Sequence, residues 1–539
     1  MSFGLRLAAC ACRGTVCSRW ILSSKPQIIE CDVAVIGGGL GGVAAALAAA
    51  EGGAQVVLTE ETSWIGGQVT SQAVSALDEH PLIEEISNTW RYAEFRNLVR
   101  QYYQEEFSAP PLMPDGAPLN PGNGWVSRLC FEPRVGLQVL QGMLSPFETS
   151  GALQVIRHCR PVACRGDSTH LQAVQLDTPG RTIEVRARQF IDATELGDLL
   201  PLAGVPYVTG AEAFEDTGEP HASRDGPHPE RIQSFTFCFL VEFRKGENHL
   251  IRKPRGYERF KESQPYSLVL RGHHGELRQF YFLKSTPESP LPFWTYRRLF
   301  DASLLAPGSD RGDIALINWA SNDYRWGSII DQPSEHIAAT LDEARRLSLG
   351  FLYWLQTEAP RDEGGFGYPE LKLLPSAVGT RSGLAMAPYI REARRIIGLR
   401  RILEQDISAE CNPGKKQAAF PDSVGIGWYS IDLHPSVGDE TTLYTPTLPF
   451  QIPLGALIPR ECDNLLAGCK NISATHISNG AFRLHPVEWS IGEAAGSLAA
   501  ECALNHKTPS AIWHDSVLLG EFQALLVSQG MRLDWQDHE

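Results

Sequence analysis

Apolar and polar segments alternate most regularly near the start of the chain. Residues 32–36 (Asp-Val-Ala-Val-Ile) form a short apolar run of strand composition. The alanine-rich stretch 43–51 follows with a helical composition, and Gly52-Gly53 ends it. A second apolar run at 54–58 predicts another strand, which ends at Glu60. The pattern therefore predicts a strand, a helix and a second strand in one βαβ unit of about 30 residues.

A glycine-rich turn joins the first strand to the helix. It reads Gly37-Gly-Gly39-Leu-Gly-Gly42, which satisfies the spacing G-x-G-x-x-G. Gly37 allows the tight turn, Gly39 lets the backbone approach a pyrophosphate, and Gly42 lets helix and strand pack closely. The carboxylate of Glu60 can accept hydrogen bonds from ribose hydroxyls and repel a 2′-phosphate. The unit therefore predicts a dinucleotide site, with the diphosphate at the positive end of the helix dipole.

A glycine pair shortly after Glu60 favours FAD over NAD. Gly66-Gly67-Gln68 lets the chain run close beneath a dinucleotide, as in many flavoproteins, whereas nicotinamide dehydrogenases usually lack such a pair. The complete glycine motif is not repeated, since 425–427 lacks the third glycine and 364–367 is likewise incomplete. We therefore expect one FAD. Because no histidine or cysteine is marked out for attachment, we expect that FAD to be noncovalent.

Two later segments have the composition of strands that return to the nucleotide fold. Residues 188–192 lead into the turn Asp192-Ala-Thr-Glu195, where a glutamate stands at a place that is commonly glycine in flavoproteins. Asp192 is the cofactor-binding candidate of this turn. Residues 464–468 predict another strand, and an alanine-rich helix opened by Gly492 follows. We expect the start of that helix to stabilise negative charge on reduced flavin, through residues Gly492, Glu493 and Ala494.

These motifs together resemble the FAD-dependent oxidoreductases, a family of the fumarate-reductase/glutathione-reductase flavoprotein clan with xanthan-lyase-like members. The similarity runs from about Cys31 to Trp535. Besides the segments above, it rests on residues 78–80, 124–127, 318–324, 391–398, 422–424 and 432–434. The resemblance implies an α/β fold, with a Rossmann-type, glutathione-reductase-like FAD-binding domain and an inserted α+β substrate domain. It implies no particular substrate.

The resemblance also implies that the FAD-binding domain is discontinuous. We expect a possible leader at 1–29, a first FAD-binding part with a small β meander at 30–224, a substrate or cap domain at 225–380, a return at 381–505 and a helical tail at 506–539. Within the middle part, alternating apolar residues from Phe235 to Phe243 predict a strand. Residues 334–355 predict a long helix with Ser334 as its N-cap.

Composition and charge narrow the classes of function. The 539 residues carry 48 basic and 63 acidic side chains, a net charge of −15, which argues against a general nucleic-acid binder. No apolar run in the sequence approaches the roughly 18–20 residues that span a bilayer. The 12 cysteines form no CxxC pair. The sequence therefore predicts no metal site and disfavours a disulfide reductase.

The first 29 residues differ in composition from the rest of the chain. They carry four basic residues and no acidic residue before Glu30, with serines and small apolar residues between them. This composition is typical of an organellar transit peptide. We expect a cytoplasmic protein, or a mitochondrial or other organellar one if this leader is a transit peptide.

Histidines and arginines near the C-terminal half are the candidates for catalysis. His434, in Asp432-Leu-His434-Pro435, suits a proton acceptor near neutral pH. Arg483 and His485 precede the expected flavin helix, and we expect them to contact substrate or flavin. In each case a hydrogen-bonded structural role is the alternative interpretation.

An arginine-rich segment is the remaining candidate. Arg391, Arg394 and Arg395 are predicted to lie on one helix, with Arg391 and Arg395 on the same face. Arg395 would then anchor a substrate carboxylate through its planar guanidinium. The alternative is a solvated face, or one that forms salt bridges with Glu392.

The leading hypothesis is an FAD-dependent oxidoreductase that transfers hydride between a small polar organic substrate and flavin N5. Its electron acceptor is left open among oxygen, NAD(P) and a protein. A flavin-dependent monooxygenase that uses NAD(P)H is a close alternative. A non-catalytic flavin-binding partner protein is the alternative from a different class.

Overall fold

The computed structural model describes residues 26–271, 276–287 and 289–535. The transit-peptide prediction falls on the first 25 residues, which lie outside the described ranges. The first strand begins at Gln27, five residues before the predicted start at Asp32. It therefore includes the last three residues of the predicted leader.

The N-terminal region contains the predicted βαβ unit and the strands that extend its sheet. Its elements are β1 (Gln27–Ile36), α1 (Leu40–Glu51), β2 (Val56–Glu60), α2 (Trp90–Phe107), α3 (Pro133–Ser150), β3 (Leu153–Arg157), β4 (Arg160–Gly166), β5 (Leu171–Thr178) and β6 (Arg181–Asp192). A short 3₁₀ turn, Gly67–Val69, follows β2.

The middle region is built from short strands and one long helix. Its elements are α4 (Leu199–Ala203), β7 (Tyr207–Val208), α5 (Phe214–Thr217), β8 (Phe235–Thr236), β9 (Phe239–Phe243), α6 (Tyr257–Ser263), β10 (Val269–Arg271), β11 (Leu277–Gln279), β12 (Arg298–Phe300), α7 (Ala302–Leu305), β13 (Ile314–Ile317), β14 (Asp323–Tyr324), α8 (Ser334–Thr357), β15 (Leu371–Leu373) and α9 (Pro375–Val378). A 3₁₀ turn, Ala320–Asn322, precedes β14.

The C-terminal region returns to the first sheet and ends in helices. Its elements are β16 (Arg395–Ile396), α10 (Glu404–Ile407), β17 (Ser423–Gly427), β18 (Ile431–Leu433), β19 (Leu443–Thr445), β20 (Phe450–Pro453), β21 (Leu465–Ala467), α11 (His476–Phe482), α12 (His485–Asn505), α13 (Pro509–His514) and α14 (Ser516–Ser528). A 3₁₀ turn, Leu454–Ala456, follows β20.

One mixed sheet joins the N-terminal and C-terminal regions. Its strand order is β3-β2-β1-β6-β5-β4, and β21 pairs with β6. The pairs β1–β2, β2–β3, β1–β6 and β21–β6 are parallel, whereas β4, β5 and β6 form an antiparallel meander. The carboxyl ends of β1, β2, β6 and β21 therefore meet at one edge, where open α/β sheets bind ligands. This arrangement confirms the predicted α/β, Rossmann-type fold.

Close packing of α1 on α12 places α12 against this sheet. A Cβ at Gly492 would lie 2.0 Å from the carbonyl oxygen of Gly41, and one at Gly496 would lie 2.1 Å from that of Ala45. Glycine at both positions is therefore required for the helices to approach. The prediction that this helix opens at Gly492 is wrong, because α12 begins at His485 with Pro486 in its first turn.

The middle region has its own sheet and its own aromatic core. Strands β12, β13, β9 and β15 form a four-stranded sheet, and α8 packs beside it. The predicted helix at 334–355 is confirmed, with two more residues at its end, but Ser334 is its first residue and the N-cap is Pro333. The predicted strand from Phe235 to Phe243 is divided into β8 and β9, which belong to different sheets. Its alternate residues nevertheless pack into one core.

The arginine segment at 391–395 is extended, and the prediction of a helix there is wrong. Arg395 begins β16, which pairs with β7. Arg391 and Arg395 are 2% and 0% exposed, so the alternative of a solvated face is wrong, whereas the alternative of a salt bridge with Glu392 is confirmed for Arg395. Each arginine pairs with acids from distant parts of the chain, and those contacts hold the segment in an extended form.

Candidate functional site

The turn between β1 and α1 has the backbone geometry that the glycine motif predicts. Gly37 has φ +108°, and a Cβ there would lie 2.2 Å from the carbonyl oxygen of Ala193. A Cβ at Gly42 would lie 1.9 Å from the carbonyl oxygen of Gly37. The turn therefore packs directly against the residues that follow β6. Any larger residue would open the start of α1, which is the anion-binding end of the helix.

Glu60 lies beside this turn, at the carboxyl end of β2. Its Oε2 would be 2.9 Å from a Cβ at Gly38, and its Oε1 accepts a hydrogen bond of 2.7 Å from the backbone N–H of Thr62. Burial raises the pKa of Glu60 to about 7, although the hydrogen bonds from Thr62 act in the opposite direction. The carboxylate is thus placed where it can meet a ribose.

The glycine pair after β2 lies over the same turn. Gly66 has φ +103°, and its N–H donates to the carbonyl oxygen of Gly38 over 2.7 Å. A Cβ at Gly67 would lie 2.8 Å from the Cα of Gly39. We call the space bounded by Gly39 and Gly67 the glycine cradle. A Cβ at either glycine would project into this space.

Two buried glutamines next to this cradle have polar atoms without a partner among the described residues. Gln68 donates through Nε2 to the carbonyl oxygen of Arg483 and to Glu488, but its Oε1 is unbonded. Neither amide atom of Gln72 is bonded. Buried amides normally have partners. These atoms, the glycine cradle and Glu60 therefore fit a bound dinucleotide with polar groups beyond its diphosphate.

Asp192 and the predicted cofactor residues of α12 (Gly492, Glu493 and Ala494) are engaged in contacts within the protein. The carboxylate of Asp192 accepts hydrogen bonds from the backbone N–H of Thr194 at 3.0 Å and of Leu199 at 3.1 Å, so it closes its own turn. Glu493 pairs with Arg91 and accepts a bond of 2.8 Å from Trp489. Gly492 and Ala494 are packed in the core. The helix start at His485 leaves all three about two turns into the helix.

A charged cluster that the sequence did not indicate borders the glycine cradle. Lys470, just beyond β21, pairs with Glu195 and lies near Glu488. Glu488, in the first turn of α12, accepts a bond of 3.2 Å from the backbone N–H of Gly41. The available signal was a lysine three residues beyond an apolar core strand, since a lysine is seldom buried without a partner.

A second cluster contains His434, the first of the predicted catalytic residues. Its Nδ1 lies 2.6 Å from Asp323 Oδ2, and its Nε2 lies 3.5 Å from Asp432 Oδ2. The other oxygen of Asp323 accepts a bond of 3.0 Å from Arg391. The side chain of His434 is 26% exposed, whereas that of Asp323 is 1% exposed. The imidazole is therefore an accessible group in a network of charged side chains that includes the buried Asp323 and Arg391.

The charges in this cluster perturb one another. Burial acts to raise the pKa of Asp323, but Arg391 and His434 outweigh it and hold that pKa well below its ordinary value. Burial and Arg391 act to lower the pKa of His434, but Asp323 and Asp432 outweigh them and raise it. His434 therefore holds its proton to a higher pH than a free histidine does.

Arg483 is joined to His434 through Asp432. Its guanidinium donates to Asp432 Oδ2 over 3.1 Å and to the hydroxyl of Tyr389 over 3.0 Å. Because its backbone carbonyl accepts a bond from Gln68, the histidine cluster adjoins the residues that follow the glycine pair. The structure thus brings His434 and Arg483 together, next to the predicted cofactor residues.

His485 and Arg395 have all of their principal contacts within the protein. In His485, Nδ1 receives the backbone N–H of Asp78 at 3.0 Å, and Nε2 lies 3.0 Å from the carbonyl oxygen of Val74. Burial lowers the pKa of His485 to about 4, so the ring stays neutral. Arg395 is enclosed by Glu212 and Glu392. Both side chains are therefore held by contacts with other parts of the chain.

The sequence patterns did not single out several partners in this site. Asp323 lies in a motif of the resemblance without an assigned role, and Tyr389 lies in none of the motifs. Asp78, which pairs with Arg297 at 3.1 Å, lies in a motif of the resemblance without an assigned role. Within the described ranges, no group of three or more His, Cys, Asp or Glu residues is arranged to hold a metal ion. No helix in those ranges is long and apolar enough to cross a membrane.

The fold and the glycine cradle define a flavoprotein with a Rossmann-type FAD-binding domain. The chain belongs to the FAD-dependent oxidoreductase family, whose model matches residues 32–526. FAD is thus the cofactor that the family and the site have in common. No curated protein matches the chain.

Solved flavoprotein structures align with the chain at low similarity. A variant of E. coli quinol fumarate reductase FrdA is 11% identical over 93% of this chain and 74% of its own, with a TM-score of 0.32. A geranylgeranyl bacteriochlorophyll reductase-like protein from Thermoplasma acidophilum is 11% identical over 94% and 85%, with a TM-score of 0.33. The chain spans only 26% of L-proline dehydrogenase from P. horikoshii, at 13% identity over 36% of this chain and a TM-score of 0.19. At these scores the alignments carry no argument about substrate or mechanism.

Proposed function

We propose that this protein transfers hydride between a small polar organic substrate and N5 of a noncovalently bound FAD, and that His434 transfers the accompanying proton. The observation that supports this most is the position of His434 between two carboxylates. Asp323 fixes Nδ1 and Asp432 lies beside Nε2, while the ring keeps an accessible side. An orienting acid on one ring nitrogen is the usual support for a histidine that moves a proton.

The glycine cradle and the neighbouring residues would hold the cofactor. Gly37, Gly39 and Gly42 would admit the diphosphate, Glu60 would bind the ribose, and Gly66, Gly67 and Gln68 would lie along the dinucleotide. Bound FAD would supply the hydride acceptor or donor at N5. The protein then has to orient the substrate, exclude water and handle one proton.

The proton balance follows from the charge of His434. When a substrate is oxidised it loses a hydride and a proton, and Nε2 of neutral His434 accepts that proton. When a substrate is reduced, the imidazolium donates the proton back. Because the pKa of His434 is raised, the imidazolium persists to a higher pH than in a free histidine, and oxidation should accelerate as the pH rises and the ring loses its proton.

Arg483 would orient a polar group of the substrate. It already binds Asp432 and Tyr389, and it lies two residues before the start of α12. A guanidinium held by two partners keeps a fixed plane, which favours bidentate recognition of an oxygen-bearing group. Arg395 would act only indirectly, by holding Glu212 and Glu392.

An anaerobic bleaching screen tests this proposal. Purified protein that contains FAD is mixed with amines, hydroxy acids and NADPH, and the flavin absorbance is followed before and after oxygen is admitted. Bleaching by an amine or hydroxy acid supports the proposal. Bleaching by NADPH alone would replace it with a reductase or monooxygenase, and no bleaching by any compound would leave a non-catalytic flavin-binding protein.

A further inference from the structure

Three ionisable side chains meet at the edge of the glycine cradle. Lys470 Nζ lies 2.5 Å from Glu195 Oε2 and 3.5 Å from Glu488 Oε2. The side chains of Lys470 and Glu488 are 1% and 0% exposed, whereas that of Glu195 is 24% exposed. Glu195 is thus the member of the cluster that can leave for solvent.

The carboxylate of Glu195 lies inside the cradle itself. Its Oε1 would be 2.8 Å from a Cβ at Gly39 and 2.7 Å from a Cβ at Gly67. It therefore occupies the space that the two glycines leave free between their backbones. In a dinucleotide site of this type, that space belongs to the pyrophosphate.

Two anions cannot share this space. A carboxylate within a few Å of a diphosphate in a water-poor site is strongly repelled. Glu488 is fixed, because it binds the backbone N–H of Gly41 and the amide of Gln68. Burial opposes the charge of Lys470, but Glu195 and Glu488 outweigh it and raise the pKa of the ammonium, which therefore stays charged.

We propose that Glu195 and the diphosphate of FAD compete for the glycine cradle and for Lys470, so that the diphosphate displaces Glu195 and takes Lys470 as its counter-ion. This inference rests on the proposed position of FAD at the β1–α1 turn. No bond is made or broken in the exchange. Lys470 passes from one anion to another, and Glu195 moves into solvent.

The unbonded oxygen of Gln68 is a second feature of this site that a bound flavin would change. Gln68 is fully buried, follows the cradle directly, and its Oε1 has no donor among the described residues. A flavin with hydrogen-bond donors beyond its diphosphate would satisfy that atom. At the edge of the cradle, the ammonium of Lys470 therefore has carboxylate partners, whereas the amide oxygen of Gln68 lacks a hydrogen-bond donor among the described residues.

A titration of cofactor-free protein with two flavins tests the exchange. FAD carries the diphosphate and riboflavin lacks it, so flavin fluorescence gives a Kd for each. Glu195→Gln should lower the Kd for FAD about tenfold, equivalent to about 1.4 kcal/mol, and leave the Kd for riboflavin unchanged. Glu148→Gln, which removes an exposed carboxylate of α3, is the control for the loss of one negative charge and should change neither.

Binding kinetics provide a second readout. If Glu195 must leave first, the observed rate of FAD binding saturates with FAD concentration in the wild type and rises linearly in Glu195→Gln. Lys470→Met should raise the Kd for FAD at least tenfold. If that variant does not fold, the double variant Glu195→Gln with Lys470→Met should still bind FAD more weakly than Glu195→Gln alone.

The outcomes separate this inference from the placement of FAD. An unchanged or weaker FAD affinity in Glu195→Gln, with Glu60→Gln impairing FAD binding, would overturn the exchange alone. If Glu60→Gln also leaves FAD binding unchanged, then FAD does not bind at this turn and both proposals fail. An equal gain in affinity for FAD and riboflavin in Glu195→Gln would overturn the role of the diphosphate.

Discussion

Nδ1 of His434 lies 2.6 Å from Oδ2 of Asp323, although 111 residues separate them in the chain. The other oxygen of Asp323 is held by Arg391. This relationship fixes the ring of His434 and raises its affinity for a proton. Much of the proposed mechanism therefore depends on a carboxylate that no substrate would touch.

Replacing Asp323 should change the pH dependence of turnover. Since Asp323 raises the pKa of His434, Asp323→Asn should lower it, and the oxidation rate should begin to rise at a lower pH than in the wild type. The rate of anaerobic flavin bleaching against pH measures this shift. Asp331→Asn, which disturbs the half-exposed partner of Arg394, is the matched control and should leave the profile in place.

Glu60 should control the retention of FAD. Glu60→Gln removes the charged acceptor for the ribose hydroxyls, and a hydrogen bond to a charged group contributes about 1.5–3 kcal/mol. We expect the Kd for FAD to rise roughly 10-fold to 100-fold, measured by flavin fluorescence. Glu61→Gln, the exposed neighbour, should leave the Kd unchanged. Equal affinity in both variants would contradict the ribose assignment.

A side chain at Gly492 should destabilise the protein, because α1 and α12 are in contact at that position. Gly492→Ala would place a methyl group 2.0 Å from the carbonyl oxygen of Gly41, so the helices must separate. We expect the free energy of unfolding to fall by about 1–3 kcal/mol or more. Gly520→Ala, at a helical position of α14 with nothing within 4 Å, should instead stabilise by roughly 0.5–1 kcal/mol. Chemical denaturation compares the two variants.

His485 should make the protein less stable in mild acid. The unfolded chain binds a proton at His485 near pH 6.5, whereas burial delays protonation of the folded chain to a pKa of about 4. Stability from this group is therefore present above pH 6.5 and is lost as the pH falls towards 4, by about 3 kcal/mol in total. His485→Gln should flatten that part of the stability curve, as measured by denaturation at pH 7 and pH 5. An equally steep loss in the variant would contradict the neutral ring.

The cofactor half of the site could be predicted because its signals are local. The glycines at 37, 39 and 42 act through the backbone of one turn, and the structure places them, Glu60 and the glycine pair around one cradle. The start of α12 was misplaced because Gly492 was interpreted as opening the helix. Pro486 was the better signal, since proline favours the first turn of a helix.

The catalytic half depends on contacts that no local pattern contains. Arg391 and Arg395 are spaced as on a helix, but their partners Asp323 and Glu212 lie 68 and 183 residues away. Those buried ion pairs hold the backbone of the segment extended, and they engage the guanidinium of Arg395 within the protein. Lys470 and Glu195 likewise meet across 275 residues. Sequence spacing alone could not indicate which of these charges face one another.

The most direct test of the account compares His434→Gln with the wild type in one anaerobic turnover. Both proteins should show the same flavin spectrum and the same Kd for FAD, because His434 lies outside the glycine cradle. With the amine or hydroxy acid that bleaches the wild type fastest, we predict that the variant reduces its flavin 10²-fold to 10⁴-fold more slowly, the usual contribution of a general acid–base group. An equal bleaching rate across pH 6 to 9 in the two proteins would contradict the role of His434.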